Sequence, residues 1–153
     1  MSATVKLRLG DMFDGPADLI VLPCSTSGTI TGFVARRLVQ HSIPHPKVGM
    51  ALGEVEIMPF EGGEDIAQFV AFAASVRHNT SDVKELRAIG ESLGRFTAEN
   101  PSVRYVAAPL LGAGAGGVQS ELVAAAYAMV SPPRRRQMQP SAFTFCIQRC
   151  TTV

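Results

Sequence analysis

The sequence predicts an α/β fold: a three-layer α/β/α sandwich around a mixed, mostly parallel sheet. Three observations predict it. Short apolar runs alternate along the chain with segments whose apolar residues recur at helical spacing. Two of the runs, 18–24 (DLIVLPC) and 103–109, are nearly continuous hydrophobe, the pattern of strands covered on both faces. Each of these two runs leads into a loop of small residues and then a helical segment, the arrangement that places ligands beyond the carboxyl ends of strands.

The elements follow in order. Val5, Leu7 and Leu9 alternate with Lys6 and Arg8, a half-exposed strand that ends at Gly10-Asp11. The buried strand 18–24 comes next. Phe33, Val34, Leu38 and Val39 predict a helix from Thr31 to His41, stopped by Pro44 and Pro46. Strands are expected at 54–60 and 68–74, joined by a turn containing Gly62-Gly63. Val83, Leu86, Ile89, Leu93 and Phe96 form one face of a helix capped by Ser81 or Asp82 and ended by Asn100-Pro101. Strand 103–109, a glycine-rich turn, a helix at 120–130, a loop at 132–140 and a closing strand at 142–147 complete the chain.

The 153 residues suit one domain spanning 1–153. Hydrophobic residues make up 46% and charged residues 18%, a globular composition. A net charge of +1 supplies no strong field for nucleic acid or an acidic membrane. The basic run Arg134–Arg136 follows two prolines and reads as a solvated loop, with an interaction patch as the other reading. Cys24, Cys146 and Cys150 are odd in number and irregular in spacing, which argues against a disulfide scaffold and against a metal site. No signal pattern opens the chain and no apolar run reaches transmembrane length, so a reducing, cytoplasmic setting is expected. No cofactor is expected.

Two loops suggest chemistry. Gly112, Gly114, Gly116 and Gly117 lie between a strand and a helix, where bared backbone N–H groups and a helix start favour a phosphate. A tight turn packed on a neighbouring helix is the other reading. The segment is not a P-loop, because Val118-Gln119 stand where Lys-Ser/Thr would. The second loop, within PCSTSGTITGFVARRL, offers the hydroxyls of Ser25, Thr26, Ser27, Thr29 and Thr31 to phosphate or ribose oxygens, or simply caps its helix through Thr31. Arg36 and Arg37 are expected in solvent, with a phosphate contact as the alternative. Asp11 can accept from an exocyclic amine such as adenine N6, or brace its own turn. His41, His45 and His78 read as surface or capping residues rather than catalytic ones, and Cys24 as a buried strand end.

Together these pieces resemble a macrodomain, the ADP-ribose-binding module. Gly10-Asp11-Met12 is similar to that family's Gly-Asp-Ile stretch after the first strand. Residues 17–24, ADLIVLPC, are similar to its second strand, and 106–117, VAAPLLGAGAGG, to its late strand and second phosphate loop. The resemblance implies that Asp11, with Met12 beside it, holds the adenine amine. Cys24 and Ser25 would border the site, and Gly32 with Phe33 would form the first phosphate loop. Leu111, Gly112, Ala113, Gly114, Ala115 and Gly116 would cradle the diphosphate through backbone amides.

The departures from the family pattern bear on activity. Leu22 and Ser25 stand where the family carries two asparagines, the second of which orients the distal ribose for hydrolysis. No acidic residue lies between Ser25 and Arg37, and the glycine-rich second phosphate loop has no aromatic residue. A general base has no visible candidate. The expected function is therefore binding of ADP-ribose or a related metabolite, free or carried on an ADP-ribosylated macromolecule, as a reader or sensor. The alternatives are an ADP-ribosyl hydrolase and a degenerate macrodomain acting as a scaffold.

Overall fold

A computed structural model describes residues 11–63, 65–77 and 82–109, together with the backbone of the strands at 4–9 and 142–147. The elements are β1 (Thr4–Leu9), a single 3-10 turn (Met12–Asp14), β2 (Leu19–Ser25), α1 (Gly32–Gln40), β3 (Val55–Pro59), β4 (Phe69–Val76), α2 (Val83–Glu99), β5 (Tyr105–Ala108) and β6 (Ala142–Ile147). Every expected element within the described residues is present. The glycine-rich turn, the helix expected at 120–130, the loop at 132–140, the basic run, His78 and Cys150 lie outside them, as do the side chains of β1 and β6.

The six strands form one sheet in the order β1-β6-β5-β2-β4-β3. Four of the five pairings are parallel, and β3 runs antiparallel to β4 at one edge. This is the mixed, mostly parallel sheet that the sequence predicts.

Strand β2 explains the layering. Its residues Leu19, Ile20, Val21 and Leu22 all have 0% exposure. Successive side chains point to opposite faces. Ile20, Leu22 and Cys24 join Val34 and Leu38 of α1 with Val70 and Phe72 of β4. Leu19 and Val21 join Leu86, Ile89 and Leu93 of α2 with Ala71, Ala73 and Val106. A period-two strand thus feeds two cores, one under each helix. Each fully buried aliphatic side chain contributes about 1.5–3 kcal/mol relative to exposure.

The helix ends follow their capping residues. Thr31 accepts from the Val34 N–H at 3.4 Å and starts α1 one residue later than the sequence spacing suggests. His41 closes it, donating its N–H to the Arg37 carbonyl at 3.0 Å. Of the two expected caps for α2, Asp82 is the one used, accepting from the Lys84 N–H at 3.1 Å. Asn100 turns its side-chain amide back to the Phe96 carbonyl at 2.9 Å and ends the helix before Pro101.

At the amino ends of the central strands Asp18 ties three strands together. Its Oδ2 accepts from the Arg104 and Tyr105 N–H groups, both at 2.8 Å, and its Oδ1 from Gln68 Nε2 at 3.2 Å. Its own N–H donates to the Tyr105 carbonyl at 2.9 Å, and its carbonyl accepts from Gln68 and Phe69 at 2.9 and 3.1 Å. The connection into β2 passes close to residues 65–66. Gly15 has φ +50°, and a Cβ there would lie 2.6 Å from the Asp65 carbonyl oxygen, so only glycine fits.

Hydrogen bonds to a charged acceptor are each worth about 1.5–3 kcal/mol. Asp18→Ala should therefore lower the unfolding free energy by about 2 kcal/mol or more, allowing for the partial exposure of these bonds. Urea unfolding should show a lower midpoint with an unchanged slope.

Candidate functional site

The topology fixes where a ligand site can form. From β2 the chain leaves toward β4 and β3, and from β5 it leaves toward β6 on the other side. Because β2 and β5 are parallel neighbours, their carboxyl ends at Ser25 and Ala108 flank one crevice. Strand order reverses there, the place where open α/β sheets form ligand crevices.

One wall of the crevice is the turn at 25–31. The β2/β4 register shifts between Cys24 and Ser25, which ends regular pairing at the mouth. Ser25 donates its N–H to the Thr29 carbonyl at 2.9 Å and accepts from the Gly28 N–H at 3.0 Å. Its hydroxyl donates to Thr29 Oγ1 at 2.9 Å and accepts from the Thr29 N–H at 3.0 Å. Ser27 Oγ lies 2.8 Å from both Ser25 Oγ and Thr29 Oγ1. The three hydroxyls therefore hold the turn, and the only proton of Ser25 Oγ is already committed.

The turn is braced from outside by residues 47–50. Gly28 adopts φ +78°, and a Cβ there would touch Val48 Cγ2 at 3.4 Å. The Gly49 N–H donates to the Thr26 carbonyl at 3.2 Å. Glu54 and Glu56 hold this brace. Glu56 Oε2 accepts from the Lys47 N–H at 3.0 Å, and Glu54 takes Lys47 Nζ at 3.0 Å and the Ala51 N–H at 3.1 Å. The hydrogen bond with Glu54 raises the Lys47 pKa, and the same bond lowers that of Glu54.

Beyond the turn, Thr31 and Gly32 open α1. Gly32 is exposed, and a Cβ built on it would meet nothing within 4 Å among the described residues. The first-turn N–H groups of a helix have no intrahelical acceptor, and they carry the positive end of its dipole. An open, side-chain-free helix start thus borders the crevice.

Asp11 lies just past β1, at the same end of the sheet because β1 runs parallel to the central strands. Its Oδ1 accepts from the Phe13 N–H at 2.9 Å and caps the 3-10 turn. Its Oδ2 pairs with the Arg37 guanidinium. Arg37 Cζ sits 5.2 Å from the Phe33 ring centroid and 5.5 Å from that of Phe13. His41 stacks on Phe13 at 5.3 Å and meets the edge of Phe60 at 6.1 Å. Its Nε2 is buried and has no hydrogen-bond partner among the described residues.

Of the residues singled out from sequence, Ser25 ends β2, Gly32 and Phe33 lie in the first turn of α1, and Asp11 meets Phe33 through Arg37. Met12 is 4% exposed and its side chain packs in the core, so only its backbone is left for a ligand. Cys24 is a buried strand end, as expected. Leu111, Gly112, Ala113, Gly114, Ala115 and Gly116 lie outside the described residues. The expectation that Arg37 stands in solvent is corrected: it is ion-paired to Asp11 and stacked on two rings. A signal was present, since Phe33 and Arg37 are four apart on one helix face. Among the described residues no group of three or more His, Cys, Asp or Glu is placed to hold a metal ion. No described helix is long and apolar enough to cross a membrane.

Comparison with known proteins places this geometry. The sequence matches no known protein-family profile and no curated protein sequence. Solved structures match closely in backbone. The macrodomain of Mycobacterium tuberculosis DarG superposes with a TM-score of 0.69 at 16% identity, over 94% of this chain and 98% of that one. An Oceanobacillus iheyensis macrodomain with ADP gives 0.67 at 11% identity, over 96% and 84%. A Trypanosoma brucei macrodomain in complex with ADP-ribose gives 0.65 at 18% identity, over 92% and 63%. The chain has the macrodomain fold.

Burial, then the nearby Glu56 and Glu54 carboxylates, push the Cys24 thiol up to about 11. Its Sγ lies 3.9 Å from Met50 Sδ in the core. The thiol is therefore neutral at physiological pH. In a Cys146→Ser, Cys150→Ser background, labelling of Cys24 by a thiol reagent at pH 8 should be far slower than for a free cysteine and should accelerate on unfolding. The raised folded pKa makes its contribution to stability complete below the ordinary value of 9.0 and lost as pH climbs toward about 11. The melting temperature of the same background should fall across that interval more than in a variant that also carries Cys24→Ala.

Proposed function

We propose that the crevice between the carboxyl ends of β2 and β5 binds ADP-ribose or a closely related adenosine diphosphate compound, and that the protein acts as a reader of that group. The observation that carries the reading is the open helix start at Gly32 beside the point where strand order reverses. An anion is what such a helix start attracts, through its unpaired N–H groups and its dipole. The diphosphate would lie between this helix start and the residues after Ala108, with Gly112–Gly116 as the second cradle. Solved structures of the same fold that hold ADP or ADP-ribose support the choice of ligand.

Binding rather than turnover is favoured by the state of the neighbouring groups. The Ser25 hydroxyl is spent on Thr29, and the Cys24 thiol is neutral and buried. Neither activates water. The ligand would be read free or while attached to a macromolecule.

Calorimetric titration with ADP-ribose should show saturable binding, and the absence of heat and of thermal shift at millimolar ligand would remove the reading. Gly32→Glu enters open space and places its charge at a helix start, where it does not disturb folding. That variant should melt no lower than the parent and bind ADP-ribose at least tenfold more weakly, because its carboxylate opposes the diphosphate. Incubation with ADP-ribosylated protein should release no ADP-ribose.

A further inference from the structure

We propose that Glu54 and Glu56 are positioning residues for the anion-binding helix start: they clasp Lys47 against Gly28 and so hold the turn at 25–31 in the shape that presents Thr31 and Gly32 to the ligand. The inference rests on the nucleotide-binding reading above, and it gives carboxylates at the rim of the sheet a part in that site.

The turn starts at a break in the ladder, where the pairing of β2 with β4 shifts between Cys24 and Ser25. The hydroxyls of Ser25, Ser27 and Thr29 fix its internal shape. Other contacts set its place. The Thr26 N–H donates to the Val76 carbonyl at 3.1 Å, and the Thr26 carbonyl accepts from the Gly49 N–H at 3.2 Å. A Cβ on Gly28 would lie 3.4 Å from Val48 Cγ2 and 3.6 Å from the Lys47 carbonyl oxygen, so the turn rests directly on segment 47–49. Only Ile30 separates Thr29 from Thr31, whose side chain caps α1. A displaced turn therefore pulls on the first residues of the helix.

Segment 47–51 belongs to no helix or strand, and it is held from two sides. Met50 is 2% exposed, with its Sδ 3.9 Å from Cys24 Sγ. The carboxylates hold the rest. Glu56 Oε2 accepts from the Lys47 N–H at 3.0 Å. Glu54 accepts from Lys47 Nζ at 3.0 Å with one oxygen and from the Ala51 N–H at 3.1 Å with the other. Strand β3 pairs with β4, with Glu56 opposite Phe72, so these acceptors stand on a fixed element. Bonds to an ionised acceptor are stronger than bonds between neutral groups. A turn set in advance lowers the cost of binding, because the ligand need not order it.

The test is calorimetry with ADP-ribose beside residue-resolved hydrogen exchange by NMR. The Gly28 and Thr29 amides are bonded within the turn and to neither glutamate. In the double variant Glu54→Ala, Glu56→Ala they should exchange at least roughly tenfold faster than in the parent, while Phe72 in β4 keeps its protection. Affinity for ADP-ribose should fall at least roughly fivefold. The sign is diagnostic, because removing two negative charges near an anion site would by charge alone tighten binding. The pair Glu54→Gln, Glu56→Gln keeps oxygen acceptors for the Lys47 and Ala51 N–H groups, and should return both readings to within about threefold of the parent. Unchanged exchange at Gly28 and Thr29 overturns the proposal, as does equal or tighter binding by the alanine pair, or a glutamine pair as weak as the alanine pair. Should the alanine pair fail to fold, Glu56→Ala alone carries the same two readings. If the parent binds no ADP-ribose, the nucleotide reading falls first and this role with it. A parent that binds, with a variant whose turn and affinity are unmoved, sinks this inference alone.

Discussion

The burial of β2 on both faces is the constraint on which the architecture depends. A strand with no exposed side needs a helix on each face, and α1 and α2 fill those two positions. One helix belongs to the connection leaving β2, and the other to the connection that returns across β2 to β5. The strands that follow β2 and β5 in the chain therefore lie on opposite sides of the pair. The crevice follows from satisfying the core, before any residue is chosen for a ligand. At the opposite end of the same strands, Asp18 fixes where β2, β4 and β5 begin, so the ends facing the crevice are set by a clamp far from it.

The mouth of the crevice is built from groups that satisfy one another. The hydroxyls of Ser25, Ser27 and Thr29 close on themselves, and Gly28 lets the turn lie against Val48. Among the described residues, what remains uncovered is backbone at the start of α1. This division matters for chemistry. Fixed dipoles suit recognition of an anion, because they need no reorganisation when it arrives. Among the described residues, the hydroxyls at the end of β2 are occupied by structural bonds with one another.

The fold was legible in the sequence because it is written in periodicity. The unbroken apolar run Leu19–Leu22 and the helical spacing of Leu86, Ile89 and Leu93 are properties of neighbours along the chain, the first marking a strand covered on both faces and the second one buried face of a helix. Capping was legible for the same reason: Thr31 and Asp82 act on residues two or three positions away. The site was only partly legible. Gly32 and Ser25 stand out by composition, and the structure places them at the start of α1 and the carboxyl end of β2. The pairing of Asp11 with Arg37 spans 26 positions and depends on how α1 packs beside the first connection, so no local pattern encodes it. The 3-10 turn at Met12–Asp14 is one turn long and too short to carry a period. Asp18 belonged to a stretch valued for its apolar residues, and its role emerged only when three strands met.

The antiparallel strand β3 lies at the rim of the sheet, and its composition bears on how molecules of this protein meet one another. An unpaired rim offers a row of donors and acceptors onto which a foreign chain can zip. Here that rim ends in Pro59, which lacks a donor, and it begins beside Glu54, with Glu56 two positions further on. Ring and carboxylates make the rim a poor template for edge-to-edge growth, so the parallel interior can stay strongly apolar without seeding fibrils from this side.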